Sequence, residues 1–220
     1  MGRLIGVFGT AGLGREVMSM MHRQRIARDT DDTLVYVAPK AQAPIHGVAV
    51  MEEAWFLACN QSRAFVVAIS DSKLRQAVFI RALNSGALPY NVRAISAEIC
   101  DTVRLGEGAL VCGYCSITTD TKVGMGFHMN ISSYLAHDCI VGDFVTFGPH
   151  VVCAGNVIIE DGVYLGAGAM IRQGKPGEPV VIGTGATVGM GAVVTKSVPP
   201  GAVVVGIPAR PLNEIQSNAK

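Results

Sequence analysis

The sequence has almost no excess charge: 18 Lys and Arg stand against 17 Asp and Glu, a formal net charge of +1 over 220 residues. That balance gives no electrostatic case for nucleic acid or an anionic membrane surface. No apolar run is long enough to cross a bilayer, and the start lacks the basic residues, short apolar core and small-residue cleavage site of a secretory signal. A soluble, cytoplasmic protein is expected. No second pair accompanies Cys112-Gly-Tyr-Cys115, so a zinc ribbon is not supported and no metal is expected. The six cysteines, Cys59, Cys100, Cys112, Cys115, Cys139 and Cys153, mostly fall on the positions of an internal repeat. That placement reads as packed thiols in a reducing compartment, not as a disulfide framework. The Gly-rich stretch near the start is spaced G-x-x-G-x-G and lacks the dinucleotide fingerprint G-x-G-x-x-G.

What the chain does have is a six-residue period. From Ile99 to Ile171 an aliphatic residue, Met, Phe or Cys returns at every sixth position, through Leu105, Val111, Ile117, Val123, Met129, Leu135, Val141, Phe147, Cys153, Ile159 and Leu165. Four residues after most of these comes a smaller or branched one, such as Cys115, Thr121, Ser133, Cys139 or Val157. A helix would repeat near 3.6 and a strand at 2, so neither accounts for the period. A hexapeptide parallel β-helix does. Each hexad makes a short strand and a turn, three hexads close a triangular coil, and coils stack because one alone cannot bury its inner face.

Ahead of the repeat, strands alternate with helices. Arg3 to Phe8 is an apolar run ending in Gly9-Thr-Ala-Gly12-Leu-Gly14, and Val17, Met18, Met20 and Met21 follow at helical spacing. Thr33 to Val37 and Ala64 to Ile69 read as parallel strands covered on both faces. Pro39 to Pro44 read as a loop, and Asp71-Ser72 as the cap of a helix carrying Leu74, Val78, Phe79 and Leu83. The organisation expected is an α/β Rossmann-like unit over 1–95, an all-β parallel β-helix over 96–212 and a short tail over 213–220. The repeat breaks at Gln173 to Pro179, where a loop must be extruded, and Pro199-Pro200-Gly201 is expected to end the coil.

His137, in Ser132-Ser-Tyr-Leu-Ala-His137-Asp138-Cys139, is the histidine with a chemical neighbourhood. Leu135 is the inward residue of its hexad, so His137 stands by the turn, off the apolar interior. An imidazole beside a carboxylate can serve as a general base. An ordinary surface His-Asp turn is the bland alternative for the dipeptide alone.

The Gly-rich α/β start, the hexapeptide repeat, the His137-Asp138-Cys139 turn, Cys153-Ala-Gly155-Asn156 and the ending Val205-Gly-Ile207-Pro-Ala-Arg210 together resemble the bacterial nucleotide-sugar N-acetyltransferases. These belong to the left-handed β-helix superfamily and include enzymes for bacillosamine-type and perosamine sugars. The resemblance implies a left-handed prism, a homotrimer with active sites between subunits, and acetyl transfer from acetyl-CoA to the 4-amino group of a nucleotide-linked deoxysugar in surface-polysaccharide synthesis. It implies His137 as general base, Asp138 as its acidic neighbour and Gly155 as an N–H donor to the thioester oxygen. Thr146, Ala167 and Met190 correspond to acetyl-CoA contacts, with Ile207 and Arg210 toward the tail of CoA. Gly9, Ala11, Gly12, Leu13 and Ser70 correspond to nucleotide-sugar contacts. Relatives commonly carry an Asp-Asp pair after the second strand, whereas the matching residues here are Ala38 and Pro39. The loop around Lys175 and Glu178 is placed to shape the acceptor pocket or to stand solvated.

Three readings compete with amine acetylation. A sugar O-acetyltransferase of the sialic acid type would use the same base on a hydroxyl. A γ-carbonic-anhydrase-like metal enzyme would use His128, His137 and His150, but these fall at three different hexad positions with no H-x-x-x-x-H pair. The third is a nucleotide-binding scaffold without catalysis.

Overall fold

The computed structural model describes residues 2–212, so the tail expected over 213–220 lies outside the described residues. The chain forms two compact units. One runs to Ile95 and includes Glu107–Leu110; the other takes Ser96–Gly106 and the chain from Val111 onward.

The first unit is a six-stranded sheet with helices. Strands β1 (Leu4–Phe8), β2 (Thr33–Ala38), β3 (Gln42–Ile45), β4 (Val48–Glu52), β5 (Arg63–Val67) and β6 (Leu88–Pro89) lie in the order β3-β4-β2-β1-β5-β6. Helix α1 (Gly12–Arg28) joins β1 to β2, α2 (Glu53–Ala58) follows β4, and α3 (Ser72–Asn84) follows β5. All five residues of β1 are buried, as the uninterrupted apolar run requires of a central parallel strand. Phe8, Phe56, Phe65 and Phe79 form a chain of edge-to-face contacts with centroids 5.1 to 6.2 Å apart. Arg3 fixes the open end of the β1–β2 pair: its backbone N–H and its guanidinium both donate to the Asp32 carboxylate, at 2.9 and 3.0 Å.

Two expectations need correction. The Pro39 to Pro44 loop is shorter than expected, because Gln42–Ile45 pairs antiparallel with Val48–Glu52. His46 and Gly47, with φ of 48° and 78°, make the tight hairpin turn, and Pro44 is tolerated because β3 is the sheet's edge. The prism likewise does not stop at Pro199-Pro200-Gly201. Val203–Val205 adds another parallel strand against Thr187–Val188 before Arg210–Pro211 closes it antiparallel.

The second unit is a triangular prism of three parallel sheets. The first stacks Glu98–Ile99, Ser116–Ile117, Tyr134–Leu135, Val152–Cys153, Met170–Ile171 and Val193–Val194. The second stacks Arg104–Leu105, Lys122–Val123, Ile140–Val141, Val157–Ile159 and Val180–Ile182. The third includes His128–Met129, Thr146–Phe147, Tyr164–Leu165 and Thr187–Val188. Partners such as Leu135 and Cys153 are one coil apart, which is why every hexad's aliphatic residue meets its own kind inside. Ile117, Met129, Leu135, Phe147, Cys153, Ile159 and Leu165 are fully buried, each large one contributing about 1.5–3 kcal/mol.

The smaller hexad residue is also interior: Cys115, Thr121, Ser133, Cys139, Val157 and Val163 are buried. One residue before it the backbone turns the corner. From Gly108 through Tyr114, Asp120, Gly126, Ser132, Asp138, Phe144, His150, Asn156 and Gly162 to Gly168, that residue has φ between 54° and 69°. A left-handed residue every sixth position bends the chain at each corner.

Candidate active site

His137 and Asp138 occupy a corner between the first and second sheets. The chain turns there because Leu135 points inward and Asp138, with φ of 56°, takes the left-handed conformation that Asp tolerates. The backbone is fixed from both sides: Asp138 N–H donates to Thr119 O at 3.2 Å, and His137 O accepts from Asn156 N–H at 3.1 Å. The two side chains are 45% and 55% exposed, so a ligand can reach them. Asp138 Oδ2 lies 2.7 Å from His137 Nδ1. That contact assigns the proton of a neutral imidazole to Nδ1 and leaves the Nε2 lone pair for a substrate proton.

Gly155 sits one coil on, directly against this ring. A Cβ built there would lie 2.6 Å from Cε1, 2.7 Å from Nε2 and 3.0 Å from Nδ1, so only glycine lets the imidazole rest where it does. Among the described residues no protein acceptor takes the Gly155 N–H, whereas Ala154 N–H and Asn156 N–H are both committed. The family resemblance implied a role for the N–H; the steric role of the missing Cβ became visible only with the ring in place.

The extruded loop is tied to the same spot. Gly174 N–H donates to Gly155 O at 3.0 Å and Val180 N–H to Asn156 O at 3.3 Å, while Lys175 and Glu178 exchange backbone bonds around Pro176-Gly177. Gly177, with φ of 78°, suits the third position of a type II turn after proline. Gly174 is a functional candidate that the sequence did not single out, since only its contact with the corner gives it meaning. A Cβ on it would collide with Asn156 O.

The residues expected to contact acetyl-CoA lie elsewhere on the prism. Ala167 and Met190 stack in successive coils at the corner between the third and first sheets, joined by Gly191 N–H to Ala167 O at 2.9 Å. Met190 is 79% exposed and Ile207 77%. Arg210 is in the closing antiparallel strand. Thr146 is buried in a strand of the third sheet with its N–H given to Val163 O. One prism therefore carries the His137 pair and the Ala167–Met190 pair on two different edges.

In the α/β unit the register brings the nucleotide-sugar candidates to one rim. Gly9 N–H donates to Val37 O at 3.1 Å and Ala68 N–H to Phe8 O at 2.8 Å, so the turn after β1, the Ala38–Pro39 end of β2 and the Ser70 loop after β5 adjoin at the carboxyl ends of the strands. The chain goes from β1 to β2 on one side and later to β5 on the other, a topological switch point of the kind where open α/β sheets bind ligands. Gly9, with φ of 114°, makes the turn, and Gly14 must be glycine because a Cβ would strike Gly9 O. Ala11 caps α1 without a side-chain bond, and Ala11, Gly12 and Ser70 are exposed. The buried Arg75 side chain holds the Ser70 loop through Ile69 O and Ser70 O at 2.8 and 3.0 Å. Burial lowers the Arg75 guanidinium to about 10, still charged at neutral pH. Among the described residues no group of three His, Cys, Asp or Glu side chains is placed to hold a metal ion, and no helix is long and apolar enough to cross a membrane.

Comparison with known proteins adds the family. Residues 156–196 match the model of the hexapeptide repeat of succinyl-transferase. The chain is 42% identical over 183 residues to GDP-perosamine N-acetyltransferase of Escherichia coli O157:H7, covering 82% of this chain and 83% of that protein. Among solved structures, WeeI from Acinetobacter baumannii AYE matches with a TM-score of 0.91 at 41% identity, covering 96% of this chain and 100% of that one. PerB from Caulobacter crescentus, solved with CoA and GDP-perosamine, matches with a TM-score of 0.82 at 28% identity, covering 96% and 97%. The second unit is thus the left-handed parallel β-helix of these acetyltransferases, and the chain belongs to the hexapeptide-repeat, acetyl-CoA-dependent nucleotide-aminosugar N-acetyltransferases, the family of GDP-perosamine N-acetyltransferase.

Proposed function

We propose that this protein transfers acetyl from acetyl-CoA to the 4-amino group of GDP-perosamine, with His137 as the general base. The observation that carries this reading is the imidazole packed on Gly155, its Nδ1 held by Asp138 and its Nε2 without a protein hydrogen-bond partner among the described residues. The neutral amine attacks the thioester carbonyl and forms the C–N bond. His137 Nε2 removes the amine proton as the tetrahedral intermediate forms, and Asp138 stabilises the resulting imidazolium. Gly155 N–H donates to the oxyanion, a stabilisation that needs no change of charge. Collapse breaks the C–S bond; the departing thiolate takes a proton and leaves as CoA. No side-chain nucleophile is required.

The α/β unit holds the nucleotide at Gly9, Ala11, Gly12, Leu13, Ala38, Pro39 and Ser70. Acetyl-CoA runs along Thr146, Ala167, Met190, Ile207 and Arg210. Because the His137 and Ala167–Met190 pairs occupy different edges of one prism, a complete site needs an edge from each of two chains, which supports a homotrimer. The free thiols suit the cytoplasm, where acetyl-CoA and nucleotide sugars for surface polysaccharide are available. The test is CoA thiol release by purified protein with acetyl-CoA and a panel of GDP-, UDP- and dTDP-linked 4-aminosugars. Acetylation of GDP-perosamine in preference to the others is expected. Turnover of a hydroxyl acceptor with none of any amine would overturn the N-acetyl assignment.

A further inference from the structure

The prism's corners carry hydrogen-bond donors on their inner side. Cys115 Sγ donates to Asn130 O at 3.0 Å, Thr121 Oγ1 to Ala136 O at 3.0 Å, Ser133 Oγ to Gly148 O at 2.9 Å and Cys139 Sγ to Ala154 O at 3.4 Å. In each pair the acceptor lies fifteen residues after the donor. These four side chains are fully or almost fully buried, so each bond is made from the prism interior. Two of them serve the catalytic corner: Thr121 holds the carbonyl of the peptide leading into His137, and Cys139, one coil on, holds that of the peptide leading into Gly155. Cys153 adds a second sulfur 3.6 Å from Ala154 O. The hydrogen bond between the two thiols and burial hold Cys153 well above its ordinary value, while the same hydrogen bond lowers the Cys139 thiol.

A trans peptide directs its C=O and N–H to opposite sides. With the Ala154 carbonyl drawn inward, the Gly155 N–H must point outward, away from the thiols, and no protein acceptor among the described residues takes it. We propose that Cys139 is a positioning residue for acetyl transfer: its buried thiol binds the Ala154 carbonyl and so aims the Gly155 N–H at the thioester oxygen. Thr121 does the same for the peptide that carries His137. The inference rests on reading Gly155 as the oxyanion donor. It assigns a role to a residue that otherwise only fills the core.

The experiment measures kcat, KM for acetyl-CoA and melting temperature for Cys139→Val, Cys139→Ser, Cys139→Ala and Cys115→Val with GDP-perosamine as acceptor. Valine fills the site without a donor, serine restores one, and Cys115→Val removes an equivalent bond at a corner without His137. Complete loss of an oxyanion donor costs about 100-fold or more in kcat, so a misaimed one is expected to cost about 10-fold. Cys139→Val should lower kcat about 10-fold with KM for acetyl-CoA within about twofold, while Cys139→Ser and Cys115→Val stay within about threefold of wild type. Should valine prevent folding, Cys139→Ala removes the donor without added bulk and carries the same expectation. Wild-type kcat in both variants that lack the Cys139 thiol, equal loss in Cys115→Val, or no rescue by serine overturns the proposal. Absence of amine acetylation by the wild type would instead overturn the reading on which it rests.

Discussion

A methyl group at position 155 would press on three atoms of the His137 ring, so Gly155→Ala tests packing and catalysis at one site. The ring must swing away from Asp138, and kcat is expected to fall about 100-fold in a steady-state assay, with the melting temperature little changed because the corner faces solvent. His137→Ala removes the proposed base and should cost about 1,000-fold in kcat, within the range for general-base loss. Retention of activity by His137→Ala would leave the imidazole a surface residue, as the dipeptide alone allowed. The sequence marked His137 as lying off the interior because Leu135 fixes the phase of its hexad. It could not show the contact with Gly155, since that neighbour lies one coil away and only the stacked register brings the two together. The inner donors Thr121 and Cys139 were hidden for the same reason: along the chain they look like small core residues.

At the scale of elements, the extruded loop depends on one glycine. Gly174→Ala would drive a Cβ into Asn156 O, breaking the bond to Gly155 O and shifting the loop from the corner. The expected outcome is a rise in KM for the aminosugar, about 10-fold, with a smaller effect on kcat, checked by initial rates at saturating acetyl-CoA. In the α/β unit the Arg3–Asp32 bond joins the starts of β1 and β2. The Arg3 guanidinium holds the Asp32 carboxyl below its usual range, so the folded state favours the charged form. Stability from this pair is therefore full above the unfolded carboxylate value near about 4 and is lost as pH falls through the lower folded value. Denaturant melts should show Asp32→Asn less stable by about 1 kcal/mol at pH 7, Arg3 being partly in water, and the difference should vanish in strong acid. The period of six disclosed every coil strand from Ile99 to Ile171, and runs of apolar residues disclosed β1, β2 and β5. The hairpin at His46-Gly47 escaped because its edge strand contains Pro44, which reads as a breaker.

For the molecule as a whole, the sequence allowed the division into an α/β unit and a prism to be read, because the two have different periods. It did not disclose that the proposed base and the proposed acetyl-CoA contacts sit on different prism edges, since each hexad looks alike until the corners are counted around the coil. That separation predicts an obligate assembly: light scattering should give three times the 23.1 kDa chain mass, and dilution that yields monomer should abolish activity while leaving each fold intact. The most direct test of the account is CoA release coupled to mass analysis of the sugar nucleotide, with wild type and His137→Ala side by side on acetyl-CoA and GDP-perosamine. The account predicts that the wild type alone adds a single acetyl group at the 4-amino nitrogen; an unmodified sugar nucleotide, or equal product from both proteins, would contradict it.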